Sequence, residues 1–502
     1  MSGLPRWRPE SGDTIITEPL FRYVPFALAA SLLGACAGLP PPVGPDYVAP
    51  EIILPSTWSA AASAGGVEAG GDLARWWRQL GDPRLDGLID EALAGSLDLR
   101  LAQARLRQAR ASREQAAGGL FPVLSGSAGA SRSRSAANLA SLPARTIYDA
   151  GFDASWEIDI FGGTRRGIEA AGADLAASEA SLDNTRVSLV AEVARNYIEL
   201  IAFRRRLAIA RDNLASQSET LQITEWRHQA GLAAGSDVEQ ARTSREQTRA
   251  GIPDLEIGQA EAGRRLAVLL GRQPGSLQAQ LAEARELPDL PAAVGAGIPA
   301  DVLIRRPDLI AAERTLAAET ARVGQRLAKR FPSLDLGASF GWQAYSFAAL
   351  GGSGSLARAV SGTLAATLFD GGRLKSAVDI QSAVQEQALV SYQGSVLAAL
   401  EEVENALFAY AAGREGVEAR RAAAVAARNA AQLSRNLYQS GLVDFQKVLE
   451  TERTRLSAED ALATAEAGMR TNLIKLYKAL GGGWAHSAAW PASAGPKGKE
   501  AS

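Results

Sequence analysis

Residues 148–163 read YDAGFDASWEIDIFGG, and the change of period just beyond this stretch decides the fold. Tyr148, Ala150, Phe152, Ala154, Trp156 and Ile158 alternate with Asp149, Gly151, Asp153, Ser155, Glu157 and Asp159, the two-residue repeat of a strand with one apolar and one polar face. Phe161-Gly162-Gly163 ends it, and helix-forming sequence then runs from Thr164 to Arg227. Within that run Val193, Leu200, Leu207, Leu214 and Leu221 recur every seven residues, with Leu189, Phe203 and Ala210 at the complementary spacing of a coiled-coil seam. As one helix it would reach roughly 95 Å at 1.5 Å per residue. The expectation is an elongated molecule in which short strands feed very long helices.

Working outward, the pattern occurs twice, 210 residues apart. Asp98-Leu99 matches Asp308-Leu309, Phe121-Pro122 matches Phe331-Pro332, Gln229, Gly231 and Leu232 match Gln439, Gly441 and Leu442, and Leu270-Gly271 matches Leu480-Gly481. A register held this long indicates tandem duplication of a unit of roughly 175 residues, too long for a solenoid repeat. Leu97 to Ala117 and Pro307 to Leu327 read as helices ending before Phe-Pro. Strands follow at Val123 to Ser131, at Leu334 to Trp342 and from Leu356 through Leu368. The second seam carries Val403, Tyr410, Val417, Ala424 and Ala431, whose small members permit close helix approach. Turns at Gly231 to Ser236 and Gly441 to Asp444 reverse the chain, and Pro253 is expected to kink the first return helix.

The organisation that follows is a leader over 1–35, an N-terminal segment over 36–95, a first repeat over 96–271 (strand pair 121–160, helix pair 163–271), a connector over 272–306, a second repeat over 307–481 (strand pair 331–370, helix pair 372–481) and a tail over 482–502. In the leader, the apolar run Val24 to Ala35 has signal-peptide length and is too short to span a bilayer as a helix. Leu33-Gly34-Ala35-Cys36 resembles a bacterial lipobox, which makes Cys36 the first mature residue and the site of lipidation. Glu10, Asp13 and Glu18 precede the run where basic residues are usual, which suggests translation beginning nearer Leu20. Ala37 resembles the residue that follows the cysteine in lipoproteins passed to the outer membrane. A buried free cysteine is the alternative.

Composition narrows the chemistry. The 502 residues hold one cysteine and two histidines, His228 and His486, so thiolate and imidazole catalysis have almost nothing to work with. Lysine plus arginine number 53 against 55 acids, a balance without global attraction for nucleic acid. The two strand faces suit either a soluble sandwich or an outer-membrane barrel, and strands alone favour the sandwich. The lipobox and the long helices reverse that order. Four strands cannot close a barrel, and open edges are not tolerated in lipid, so a barrel requires several chains.

Val43-Gly44-Pro45-Asp46-Tyr47, Trp76-Trp77 with Asp82-Pro83 and Leu85, Arg305-Arg306-Pro307-Asp308-Leu309, Phe369-Asp370-Gly371-Gly372 and the two Gly-Leu turns occur in one order. With the duplication, they make nearly the whole mature chain resemble the TolC-like outer membrane factors, in their lipidated NodT-type branch. The resemblance implies a mixed fold of long coiled-coil helices forming a periplasmic α-barrel, and four transmembrane strands per chain that complete a twelve-stranded barrel in a homotrimer. It further implies a passive, non-enzymatic exit duct in a tripartite efflux system. The partners would be outer-membrane lipid, a periplasmic adaptor and an inner-membrane RND-type pump, with no cofactor beyond the N-acyl and S-diacylglycerol lipid on Cys36.

By the same resemblance, Arg227, Gly231, Leu232, Ser236, Gly441 and Leu442 are the helix tips that meet the adaptor, although a turn requirement alone explains the glycines equally well. Val448-Leu449-Glu450-Thr451 resembles the gate-bearing stretch. It makes Glu450 the ring residue and Asp237 and Tyr438 tie residues, with Lys447 where relatives carry an acidic or neutral residue. A solvated helix face is the alternative for each charge. Asp149, Asp153, Glu157 and Asp159 are assigned to the barrel lumen, where acids would favour cations; a solvated rim accounts for them equally well. An adaptor-type coiled-coil lipoprotein and a lipid-anchored envelope enzyme are the competing classes. The first needs β-rich halves around a single hairpin, and the second needs a reactive cluster.

Overall fold

The computed structural model describes residues 40–52, 54–59, 73–134, 144–283, 286–291 and 305–484. Cys36, the leader 1–35, His486 and the tail from 485 lie outside the described residues. In chain order the main elements are a 3-10 helix Leu73–Leu80, α1 Pro83–Gly95, α2 Leu97–Gly118, β1 Val123–Ser133, β2 Arg145–Ile158, α3 Gly163–Gln229, α4 Gly235–Leu269, α5 Pro307–Ala328, β3 Ser333–Ala344, β4 Leu356–Ala365, α6 Arg373–Gln439 and α7 Phe445–Ala479. The repeat is reproduced closely: α3 and α6 each have 67 residues, and α4 and α7 each have 35. Among the described residues no helix is long and apolar enough to cross a membrane.

The chain divides into two compact units. The first holds Leu120–Arg166 and Gly324–Lys375, together with residues 40–44. Its sheet is antiparallel throughout in the order β1-β2-β3-β4, which among the described residues leaves one edge each of β1 and β4 unpaired. Strand β4 ends at Ala365, three residues short of Leu368, which lies outside it. Where β2 gives way to α3, the Asp159 carboxylate accepts the backbone N–H groups of Thr164 (3.1 Å) and Arg165 (2.8 Å). Asp370 does the same before α6, accepting from Gly372 (2.9 Å) and Leu374 (2.7 Å), and these donors hold its carboxyl below the usual range. Each long helix thus starts on an aspartate that satisfies otherwise orphaned amides.

The second unit holds the remaining helices. Its main core gathers Trp76, Leu85, Ile198, Leu266 and Tyr477, all buried, and Trp76 stacks on Tyr477 with ring centres 5.0 Å apart. Tyr197 donates to Asp82 at 2.6 Å, and the other Asp82 oxygen caps α1 through the Arg84 amide. Arg306 has a structural reason for its place in the Arg-Arg-Pro-Asp-Leu run: it donates to the Ala479 carbonyl at the end of α7 and pairs with Asp308 and Glu402. The expected seams are buried at Val193, Leu200, Leu207 and Leu221, and at all five positions of α6; Leu214 is only half-buried. Helix α4 includes Pro253 within its span.

Candidate functional site

Both helix hairpins reverse through the same backbone device. At the end of α3, Gly231 N–H donates to the His228 carbonyl (2.9 Å) and Leu232 N–H to that of Arg227 (2.7 Å). At the end of α6, Gly441 donates to Tyr438 and Leu442 to Leu437, both at 2.9 Å. This nested pair satisfies the last helical carbonyls and needs a left-handed residue, here Gly231 at φ 74° and Gly441 at φ 76°. The leucine that follows usually folds back onto its own helix in this motif. Leu232 and Leu442 instead remain 68% and 72% exposed, and Trp226 beside them is 60% exposed. Ser236 is exposed as well.

Behind the turns lies a dry cluster of Leu221, Val238, Ala241, Tyr438, Phe445, Val448 and Leu449. Arg227 is turned into it rather than outward. Its Nη1 donates to the Tyr438 carbonyl at 2.8 Å, and its guanidinium lies 4.6 Å from the centre of the Tyr438 ring, which meets Phe445 edge-on. The Tyr438 hydroxyl has no hydrogen-bond partner among the described residues, and Asp237 spends its carboxylate on the Ala234 amide (3.3 Å) at the start of α4. Tyr438 is therefore tied to Arg227, not to Asp237. Glu450 is exposed and pairs with Lys447 one helical turn earlier at 3.0 Å, so the two residues share one local, solvated contact. Two residues with roles here went unnoticed in the sequence: Trp226, and the buried Glu452, which accepts from Thr220 at 2.8 Å.

In the sheet, directly paired residues share a face. Asp149 pairs with Gly129 and Gln343, Asp153 with Ser125 and Ser339, and Glu157 with Asp335, which itself pairs with Thr363. That face carries acids, hydroxyls, amides and glycines. The other carries Tyr148, Phe152, Trp156, Leu336, Phe340, Trp342, Val360 and Leu364, with Arg358 opposite Phe340. Asp149, Asp153 and Glu157 thus stand together, joined by Asp335, whose matching parity in β3 was the available clue. Asp159 does not join them, because the strand ends at Ile158 and its carboxylate caps α3.

A sheet with one apolar face, one polar face and two open edges, written into a chain of duplicated long helix hairpins, is one subunit's share of an outer-membrane channel. The model of the family described as outer membrane efflux protein matches residues 88–272 and again 298–482. The chain belongs to that family. It is 34% identical to the pyoverdine export outer membrane protein OpmQ of Pseudomonas aeruginosa, over 91% of this chain and 96% of that one. It is 31% identical to nodulation protein T of Rhizobium leguminosarum bv. trifolii, over 90% and 96%. Among solved structures, the outer-membrane channel OprN superposes with a TM-score of 0.82 at 37% identity, covering 88% of this chain and 99% of that one.

Proposed function

We propose that three copies of this chain form a passive exit duct for small molecules, drugs included, as the outer-membrane component of a tripartite efflux system with a periplasmic adaptor and an inner-membrane RND-type pump. The observation that carries it is the two-faced sheet with unpaired edges at β1 and β4. Edge amides and carbonyls cannot be left bare in hydrocarbon, and twelve strands from three copies would pair all of them. The aromatic face then meets lipid, and Asp149, Asp153, Glu157 and Asp335 line the passage, where they favour cations. Export of pyoverdine by OpmQ, as its name states, fits an export duct. The chain carries no chemistry of its own; the pump supplies the energy. Lipidation at Cys36, with one N-acyl and one S-diacylglyceryl group, adds a second hold on the membrane.

At the hairpin turns Leu232, Leu442 and Trp226 offer apolar contact to the adaptor. Arg227 and Tyr438 hold the tip closed, and Glu450 with Lys447 sets the charge at its mouth. The decisive experiment is fractionation. Heat-resistant trimers in the outer membrane, with drug accumulation raised in a deletion strain and lowered again on complementation, are expected. A monomer in the periplasmic fraction, or accumulation unchanged by deletion, would overturn the reading.

A further inference from the structure

All four strands meet their helices at one end and their connecting loops at the other. Arg132 is the last residue but one of β1 and Arg358 the third of β4, so both stand near the loop end, which in the duct faces outward. The register puts both on the apolar face. Arg132 pairs with Thr146, two residues from Tyr148, and Arg358 pairs with Phe340. The acids of the strands, Asp149, Asp153, Glu157 and Asp335, all lie on the opposite face. The apolar face therefore carries two cations and no carboxylate.

Among the described residues neither guanidinium has a hydrogen-bond or ion-pair partner. Closing the barrel does not supply one. Strands β1 and β4 would meet at each junction between copies, and neither Val123–Ser133 nor Leu356–Ala365 contains an acid. An arginine on a lipid-facing surface is costly at mid-depth and tolerated near the interface. On the same face Trp342 lies one row nearer the loops than Arg358, and Tyr148 one row further, an arrangement that marks the interface as an aromatic girdle does. Arg358 therefore stands where headgroups give way to acyl chains. On the side toward the helices lies an open groove of about 490 Å³, in which Ala154 and Ala338 form a low row between Leu124 and Val360. Among the described residues Arg358 is the one charged side chain that lines it.

We propose that each junction between copies binds a phosphorylated glycolipid of the outer leaflet. Arg358 holds its phosphate through the paired N–H groups of the guanidinium, and an acyl chain lies in the groove below. Arg132 of the adjoining copy adds a second cation at the same junction. The proposal rests on the reading of the chain as one third of a barrel, and it makes the lipid a tie between copies.

The test uses the purified full-length trimer in detergent, with native mass spectrometry to count bound lipid. Diphosphoryl lipid A is the probe, and its dephosphorylated form and phosphatidylglycerol are the comparisons. Wild type is expected to retain one lipid A per junction and to dissociate at a higher temperature when the lipid is added. Arg358→Gln should lower retention about tenfold, the loss of one charged hydrogen bond, and abolish the thermal gain. Arg132→Gln should lower retention less, and Arg358→Lys should keep part of it. Equal retention by wild type and Arg358→Gln trimers overturns the site and leaves the barrel standing. Equal retention of the dephosphorylated form overturns the phosphate contact, and equal retention of phosphatidylglycerol overturns the choice of glycolipid. A wild-type protein that is monomeric removes the barrel reading and the junction site with it.

Discussion

The Arg227 guanidinium donates to the carbonyl of Tyr438 and covers that residue's ring, so the end of the first long helix is fastened to the end of the second. A charged hydrogen bond contributes about 1.5–3 kcal/mol and a cation over a ring about 0.5–2 kcal/mol. Arg227→Ala loses both, and Arg227→Lys retains part of each. Vancomycin sensitivity in cells is expected to rise strongly for alanine and modestly for lysine, with trimer yield unchanged. Equal sensitivity in all three strains would mean that the fastening does not control leakage.

Leu232 and Leu442 gain little from their own fold, since most of each side chain faces water. Leu232→Ser and Leu442→Ser should therefore leave thermal stability within about 0.5 kcal/mol. Capture of the cognate adaptor should fall severalfold. Cysteine introduced at either position should cross-link to the adaptor in cells. A fully functional complex without such cross-links argues that contact lies elsewhere.

The faces of the sheet should respond oppositely to charge. Val360 is 88% exposed on the apolar face, and Val360→Asp would bring a carboxylate into hydrocarbon at up to a few kcal/mol. Heat-resistant trimer is expected to disappear. Neutralising Asp149, Asp153, Glu157 and Asp335 together should preserve assembly and shift reversal potentials away from cation preference. Loss of trimer from the second set, rather than the first, would invert the assignment of the faces.

Burial raises the Glu452 carboxyl above the ordinary 4.5, opposed by the Thr220 hydrogen bond and the charges of Arg435 and Arg455; Glu219 adds to the rise. Because the folded chain holds this proton more tightly than the unfolded one, the contribution is greatest in acid and declines as pH climbs from about 4.5 through the raised value. Glu452→Gln removes the titration. The wild-type melting temperature minus that of the variant should therefore decrease between pH 4 and pH 7. A difference that grows with pH would show the ion pair outweighing burial.

Periodic features were legible in the sequence because they repeat in the chain itself. The alternation from Tyr148 and the heptads from Val193 and Val403 mark faces that the structure buries or sorts by polarity, and paired Gly-Leu steps mark the hairpin turns. What was obscure depends on partners distant in sequence. Arg227 reads as a tip charge until Tyr438, 211 positions away, is brought beneath it. Glu452, Glu459 and Glu466 look like solvated helix acids but are buried against Arg435, Arg428 and Arg421, whose matching spacing was visible. Asp159 continues a perfect alternation, yet the strand ends one residue earlier because its carboxylate is needed at the start of α3.

The matched helix lengths, 67 with 67 and 35 with 35, restrict how such a chain can change over generations. Deleting one residue from α3 rotates everything beyond it by about 100°, which turns Thr220 and the seam away from their neighbours at once. Tolerated insertions and deletions should come in whole heptads and in both repeats together. The duplicated halves are free to diverge in composition but remain bound to a common ruler.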